Sequence, residues 1–157
     1  MLLKNMDVVL VNPEIPQNTG SIARTCAATK TPLHIVGKPA FEITEKRVRR
    51  AGLDYWPFVT LTQHKTWEEY FGLQKPMRVW LLSKYATRIY HTADFGQDDA
   101  IVFGSETKGL GKEFISRFPE EQCLRIPMPC EGVRSLNLSN SVSIVLYEAR
   151  RQLHMDE

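Results

Sequence analysis

The chain has 157 residues, 43% of them hydrophobic and 24% charged, with a net charge of +2 at neutral pH. That length and balance describe one globular domain with a substantial core, and so weak a net charge does not by itself indicate nucleic acid, so any charge signal must come from clustering. Cys26, Cys123 and Cys130 are odd in number and lack CxxC spacing, which argues against a disulfide frame or a zinc site; Met1 to Asp7 is too short and too soon charged for a signal peptide, no stretch approaches the roughly 20 apolar residues that cross a bilayer, and the expectation is a cytoplasmic protein with no membrane and no metal partner.

Val8-Val9-Leu10-Val11 is a β-branched run that Asn12-Pro13 closes as a strand. Asn18 or Thr19 is the expected cap of a helix with Ile22, Cys26 and Ala27 on one face. His34 to Gly37 reads as a second strand, and Ile43 to Leu53 as a basic helix capped by Thr44. Phe58 to Leu61 reads as a short strand, and Thr66-Trp67-Glu68-Glu69 as a capping box ahead of Tyr70 and Phe71. Val79 to Leu82 and Ala100 to Phe103 are bare apolar runs, suited to strands covered on both faces. Lys112 to Arg117 reads as a short helix and Cys123 to Ile126 as a final strand. From Leu138, the positions Val142, Val145, Leu146, Ala149 and Leu153 step at helical intervals to the C-terminus. Short strands alternating with helices predict an α/β fold with a mostly parallel sheet flanked by helices.

Three polar clusters follow apolar runs, where α/β sheets hold ligands. The first is Asn12-Pro13-Glu14-Ile15-Pro16-Gln17-Asn18-Thr19-Gly20, with Arg24 four residues on. Arg24 could reach a phosphate or polarise a hydroxyl, or be a surface arginine in an ion pair, and its guanidinium is no ordinary base. The second is Phe103-Gly104-Ser105-Glu106-Thr107-Lys108-Gly109-Leu110. Its GxxxxG spacing lacks the lysine and hydroxyl of a P-loop, and Phe114 breaks a dinucleotide fingerprint. What remains is a glycine-bearing loop that admits a flat polar ligand, or a tight turn whose glycines supply positive φ. The third is Arg134-Ser135-Leu136-Asn137-Leu138-Ser139-Asn140-Ser141. Caps use one or two of these polar groups, and the surplus suggests contacts with a ligand bearing a carboxylate or phosphate. Lys46-Arg47-Val48-Arg49-Arg50 places Lys46 and Arg50 on one helical face, and Tyr55-Trp56 follow as candidate stacking residues, with Trp56 equally suited to the core. A charge run is more often only a solvated face. His34, His64, His91 and His154 show no partner at metal-ligand or triad spacing.

The stretches NPEIPQNTGSIAR (12–24), FGSETKGL (103–110) and RIPM with RSLNLSNSVSIVLYEA (125–149), in this order, resemble the SPOUT superfamily of knotted S-adenosylmethionine-dependent RNA methyltransferases. Within it the chain is most similar to the minimal tRNA 2′-O-methyltransferases that act on cytidine or uridine 34. The resemblance implies a C-terminal trefoil knot, a homodimer, S-adenosylmethionine as cofactor and the tRNA anticodon region as partner. It implies cofactor contacts at Leu82, Gly104, Ile126, Ser135 and Leu136 and catalytic roles for Arg24, Arg134, Ser135, Asn137 and Tyr147; the basic run adds Lys46, Arg47 and Arg50 as expected RNA contacts. Ser105 and Lys108 stand where relatives often carry Pro and Arg, and lysine lacks the bidentate fork of arginine. A 2′-O-methyltransferase for another tRNA or rRNA site, and a non-catalytic RNA-binding module, are the alternatives.

Overall fold

The computed structural model of the protein describes residues 6–44, 46 and 55–156. Seven strands form a single sheet in which every named pairing is parallel: β1 (Asp7–Val11), β2 (Leu33–Val36), β3 (Leu61–His64), β4 (Val79–Leu82), β5 (Arg88–Ile89), β6 (Ala100–Phe103) and β7 (Cys123–Arg125). The spatial order is β3-β2-β1-β6-β4-β7-β5. The helices are α1 (Pro16–Ala28), α2 (Trp67–Gln74), α3 (Lys112–Ser116) and α4 (Leu138–Gln152).

The bare apolar runs are explained by burial on both faces, as expected for a parallel sheet. Val8 and Leu10 of β1, with Leu33, Ile35, Trp80, Ile101, Phe103 and Leu124, point to one face. Val9, Val36, Val79, Leu81, Ala100, Val102 and Cys123 point to the other. On the first face α1 supplies Ile22, Ala23 and Cys26, and α4 supplies Val142, Val145, Leu146 and Ala149. Each buried Val or Leu contributes about 2 kcal/mol, which makes this α4 stripe a main fastening of the C-terminus. On the second face Tyr70 and Trp67 of α2 meet Phe114 and Ile115 of α3, with Phe118 beyond it.

Helix ends follow local chemistry. The Thr66 side chain accepts from Glu69 N at 3.1 Å, while Glu69 accepts from Lys65 N at 2.7 Å, so the expected box closes one residue further out. In α4, Asn137 is the cap, and Arg150 and Arg151 in the last turn match the helix dipole. Two expectations are corrected. Asn18 and Thr19 do not cap α1; the helix starts at Pro16, whose fixed φ suits a first position, and both residues are buried inside it. Phe58 to Leu61 is not a strand, because Trp56–Phe58 forms a 3-10 turn and β3 begins at Leu61, opposite Leu33. Tyr55 and Trp56 pack partly buried against the α1–α4 core, with the Tyr55 hydroxyl donating to Gly20 O at 3.0 Å. The expected basic helix lies outside the described residues except for Ile43, Thr44 and Lys46.

Candidate functional site

The sheet order creates the site. From β1 the chain moves outward to β2 and β3, then returns to the far side for β4, leaving β6 to fill the gap between. Connections leaving the carboxyl ends of β1 and β6 therefore diverge around a crevice, the usual ligand position in such sheets. The 12–15, 104–111 and 126–137 connections all leave strand ends on this edge.

One hydrogen-bond chain ties the three together. Helix α1 opens on Ile15-Pro16 with no side-chain cap of its own. The Glu106 carboxylate supplies one, accepting from Glu14 N at 2.9 Å, Ile15 N at 2.7 Å and Asn18 Nδ2 at 3.1 Å. Asn18 Oδ1 in turn accepts from Asn137 Nδ2 at 3.1 Å. Asn137 Oδ1 accepts from Ser139 N, Ser139 Oγ and Asn140 N at 2.9, 2.6 and 3.2 Å, fixing the start of α4. A second tie runs the opposite way: the Thr107 hydroxyl donates to Glu14 at 2.7 Å. That bond above all, with the Ser105 hydroxyl after it, holds the Glu14 carboxyl below its ordinary value, so it is ionised at neutral pH.

Backbone shape sets the loops. Gly104 is buried, and an added Cβ would fall 2.0 Å from Gly109 C and 2.2 Å from Leu110 N, because the loop folds back through Ser105–Gly109 pairing. Gly109 takes φ +63° at that turn. Asn12, itself at φ +51°, accepts from Lys38 N at 2.8 Å and anchors the neighbouring turn.

The expected site residues divide into three groups. Leu82 and Ile126 are half-buried apolar side chains at the ends of neighbouring β4 and β7, with buried Gly104 at the end of β6. Leu136 is half-buried, while Arg134 and Ser135 are exposed on the strand-to-helix connection that ends at Asn137. Arg24 is exposed two turns into α1 and Tyr147 is half exposed on α4; neither joins the hydrogen-bond chain. Lys46 is exposed, and Arg47 and Arg50 lie outside the described residues. The surplus polar groups at the start of α4 are partly absorbed locally, since Ser139 and Ser141 donate to Asn137. Sequence reasoning missed Asn18 and Glu106 as site members. A partial signal was available: a helix that begins Ile15-Pro16 has no side-chain cap of its own and leaves room for an acceptor from another loop.

A parallel α/β sheet whose carboxyl-edge loops converge by side-chain bonds defines a ligand-binding enzyme scaffold of the doubly wound type. Residues 5–147 match the SpoU rRNA Methylase family, and the chain belongs to that family. It is 44% identical to the tRNA (cytidine(34)-2′-O)-methyltransferase of Saccharophagus degradans, over 94% of this chain and 95% of that one. Among solved structures, one described as giving structural insights into the 2-OH methylation of C/U34 on tRNA superposes with a TM-score of 0.88 at 41% identity, covering 98% of this chain and 94% of that one. An AdoMet-bound rRNA methyltransferase from Sinorhizobium meliloti superposes at 0.80 with 25% identity, over 97% of this chain and 58% of that one. Among the described residues no helix is long and apolar enough to cross a membrane, and no group of His, Cys, Asp and Glu could hold a metal ion.

Proposed function

We propose that the protein transfers the methyl group of S-adenosylmethionine to the ribose 2′-oxygen of nucleotide 34, cytidine or uridine, in tRNA, acting in the cytoplasm as a homodimer. The observation that carries this reading is the Glu106–Asn18–Asn137 chain, which joins three loops at one sheet edge in a fold shared with the C/U34 methylation structure. Relatives such as that of Saccharophagus degradans supply the choice of nucleotide. The residues fit the cofactor: Leu82 and Ile126 give an apolar, half-buried floor at adjoining strand ends, suited to a flat heteroaromatic ring. Leu136 and the backbone at Gly104 and Ser135 complete the proposed lining.

When bound, the cofactor supplies a methyl group on a positively charged sulfur that leaves as a neutral thioether. The protein's task is then alignment of the acceptor and exclusion of competing water. Arg24 and Arg134 are exposed cations without a partner among the described residues, suited to phosphate or to orienting the ribose hydroxyl. Ser135 and Asn137 belong to the segment that would wall the pocket, and Tyr147 is offered from the exposed side of α4. Exposed Lys46, with Arg47 and Arg50 of the same basic run, supplies the proposed RNA contacts. The outward placement of Arg24 and Tyr147 suits an acceptor held between two copies. A trefoil knot accords with the strand order, since β7 lies between β4 and β5 although the short link 83–87 joins those two directly.

Incubation with methyl-labelled S-adenosylmethionine and total tRNA, followed by mapping of alkali-resistant linkages, tests the reading. Label at ribose 34 is expected, and Arg24→Ala is expected to abolish transfer while leaving cofactor affinity within about twofold. Label in rRNA alone, or in no RNA, overturns the proposed substrate; equal loss of transfer and cofactor affinity in Arg24→Ala removes that residue from catalysis.

A further inference from the structure

We infer that Lys84 and Tyr85 form a stacking platform for an unpaired base of the RNA at the rim of the cofactor pocket, an inference that rests on the function proposed above. β4 lies between β6 and β7, so the turn after Leu82 emerges between the Gly104 loop and the 126–137 connection. That turn is tightly held. Ser83 N donates to Leu124 O at 2.9 Å, Tyr85 N donates to Ser83 Oγ at 3.2 Å, and Ala86 N donates to Ser83 O at 3.2 Å. Ala86 then packs against the core on the α2–α3 face. A turn anchored at both ends nevertheless presents its two middle side chains outward.

Tyr85 is 79% exposed, the highest value among the exposed large hydrophobic side chains of the described residues. Scattered apolar side chains are ordinary on a surface, but this ring stands beside the proposed methyl-transfer pocket on a stiff support. The Lys84 ammonium lies over one face of that ring, 5.3 Å from the centroid, which leaves the opposite face for a base and places a cation beside it for phosphate. Such pairs grip single-stranded nucleic acid, because every base has a face to stack and every linkage carries a negative charge. A double-helical partner would keep its bases inside and find no use for the ring. The platform therefore selects a loop nucleotide next to the one whose ribose is methylated.

The test uses the full-length protein and a synthetic anticodon stem-loop RNA carrying 2-aminopurine next to position 34, read by fluorescence and by competition with intact tRNA. Stacking on Tyr85 quenches the probe on binding. Tyr85→Ala is expected to weaken RNA binding about tenfold and to abolish the added quenching, with S-adenosylmethionine affinity unchanged. Tyr85→Phe is expected to restore both, since the ring and not the hydroxyl does the stacking. Lys84→Ala is expected to reduce the salt dependence of binding by about one phosphate contact. Unchanged binding in Tyr85→Ala, equal losses in the Ala and Phe variants, or a parallel loss of cofactor affinity would each overturn the inference, as would a changed oligomeric state. Because binding and quenching are read without turnover, failure of the wild-type protein to methylate tRNA would strike the proposed function separately.

Discussion

The tie between Asn18 and Asn137 can be measured free of the other duties of these residues. Asn137→Ala removes the α4 cap, worth about 1 kcal/mol, and the amide bond to Asn18, worth about 1 kcal/mol. Asn18→Ala removes that same bond together with its donation to Glu106. In a double-mutant cycle the cap is lost on both arms of one comparison and the Glu106 bond on both arms of the other, so each cancels. What survives is the Asn18–Asn137 coupling, expected at about 1 kcal/mol because the pair is only partly buried. Either single variant should lie about 2 kcal/mol below wild type, a fall of roughly 4–8 °C in Tm for a chain of this size. The assay is urea unfolding of all four proteins at one fixed protein concentration, since dimer formation would make stability concentration-dependent. Both single variants should also raise the KM for S-adenosylmethionine, as the 134–137 segment loses its anchor to α1. Additivity within about 0.3 kcal/mol would refute the claim that this bond joins the loops.

Two further outcomes follow from burial and backbone contact. Gly104→Ala drives a methyl into the Gly109 and Leu110 backbone and should destabilise by about 3 kcal/mol, whereas Gly109→Ala, with open space but φ +63°, should cost about 1 kcal/mol; comparable urea midpoints for the two would contradict the packing argument. On the opposite face of the sheet, His34 Nδ1 and His64 Nε2 lie 2.9 Å apart, with Asp7 3.5 Å from His34 Nε2 and accepting from the Tyr70 hydroxyl at 2.8 Å. Burial first, then the facing His34, lowers the pKa of His64 from 6.5, against weaker opposing pulls from Glu69 and Asp7. The unfolded chain therefore takes up a proton near pH 6.5 that the folded cluster resists, so stability falls as pH drops through that value, by at most about 1.4 kcal/mol per pH unit. Chemical unfolding at pH 7.5 and 5.5 checks this: His64→Gln should flatten the dependence, and an unaltered slope would remove His64 as its source.

Five strands were legible in the sequence: Val8 to Val11, Val79 to Leu82 and Ala100 to Phe103 carry apolar side chains at every step because both their faces are covered, and the shorter runs at His34 to Gly37 and Cys123 to Ile126 fall within a residue of β2 and β7. The ones it missed or displaced lie at the sheet margins. β3 carries exposed Thr62 and Gln63, so no alternation marks it, and the Trp56-Pro57-Phe58 turn drew the assignment three residues early. β5 is two residues, defined only by pairing with β7. The His34–His64 pair was invisible for a similar reason. The residues are thirty apart in sequence, and only the β2–β3 register, with Val36 opposite His64, sets both rings on one face.

The site divides along the same line. Gly104, Asn137 and the polar run after Arg134 were legible because turns and caps are local chemistry. Glu106 read as one more charge in a glycine loop, since its partners lie 88 to 92 residues away. Yet the need it fills is written at the other end. Ile15 offers no side-chain cap and Pro16 has no N–H, so the start of α1 leaves the backbone donors of Glu14 and Ile15 open to an acceptor from elsewhere in the chain. Local sequence thus records the vacancy and topology names its occupant. That is why the convergence of the three loops, rather than any one motif, carries the functional reading.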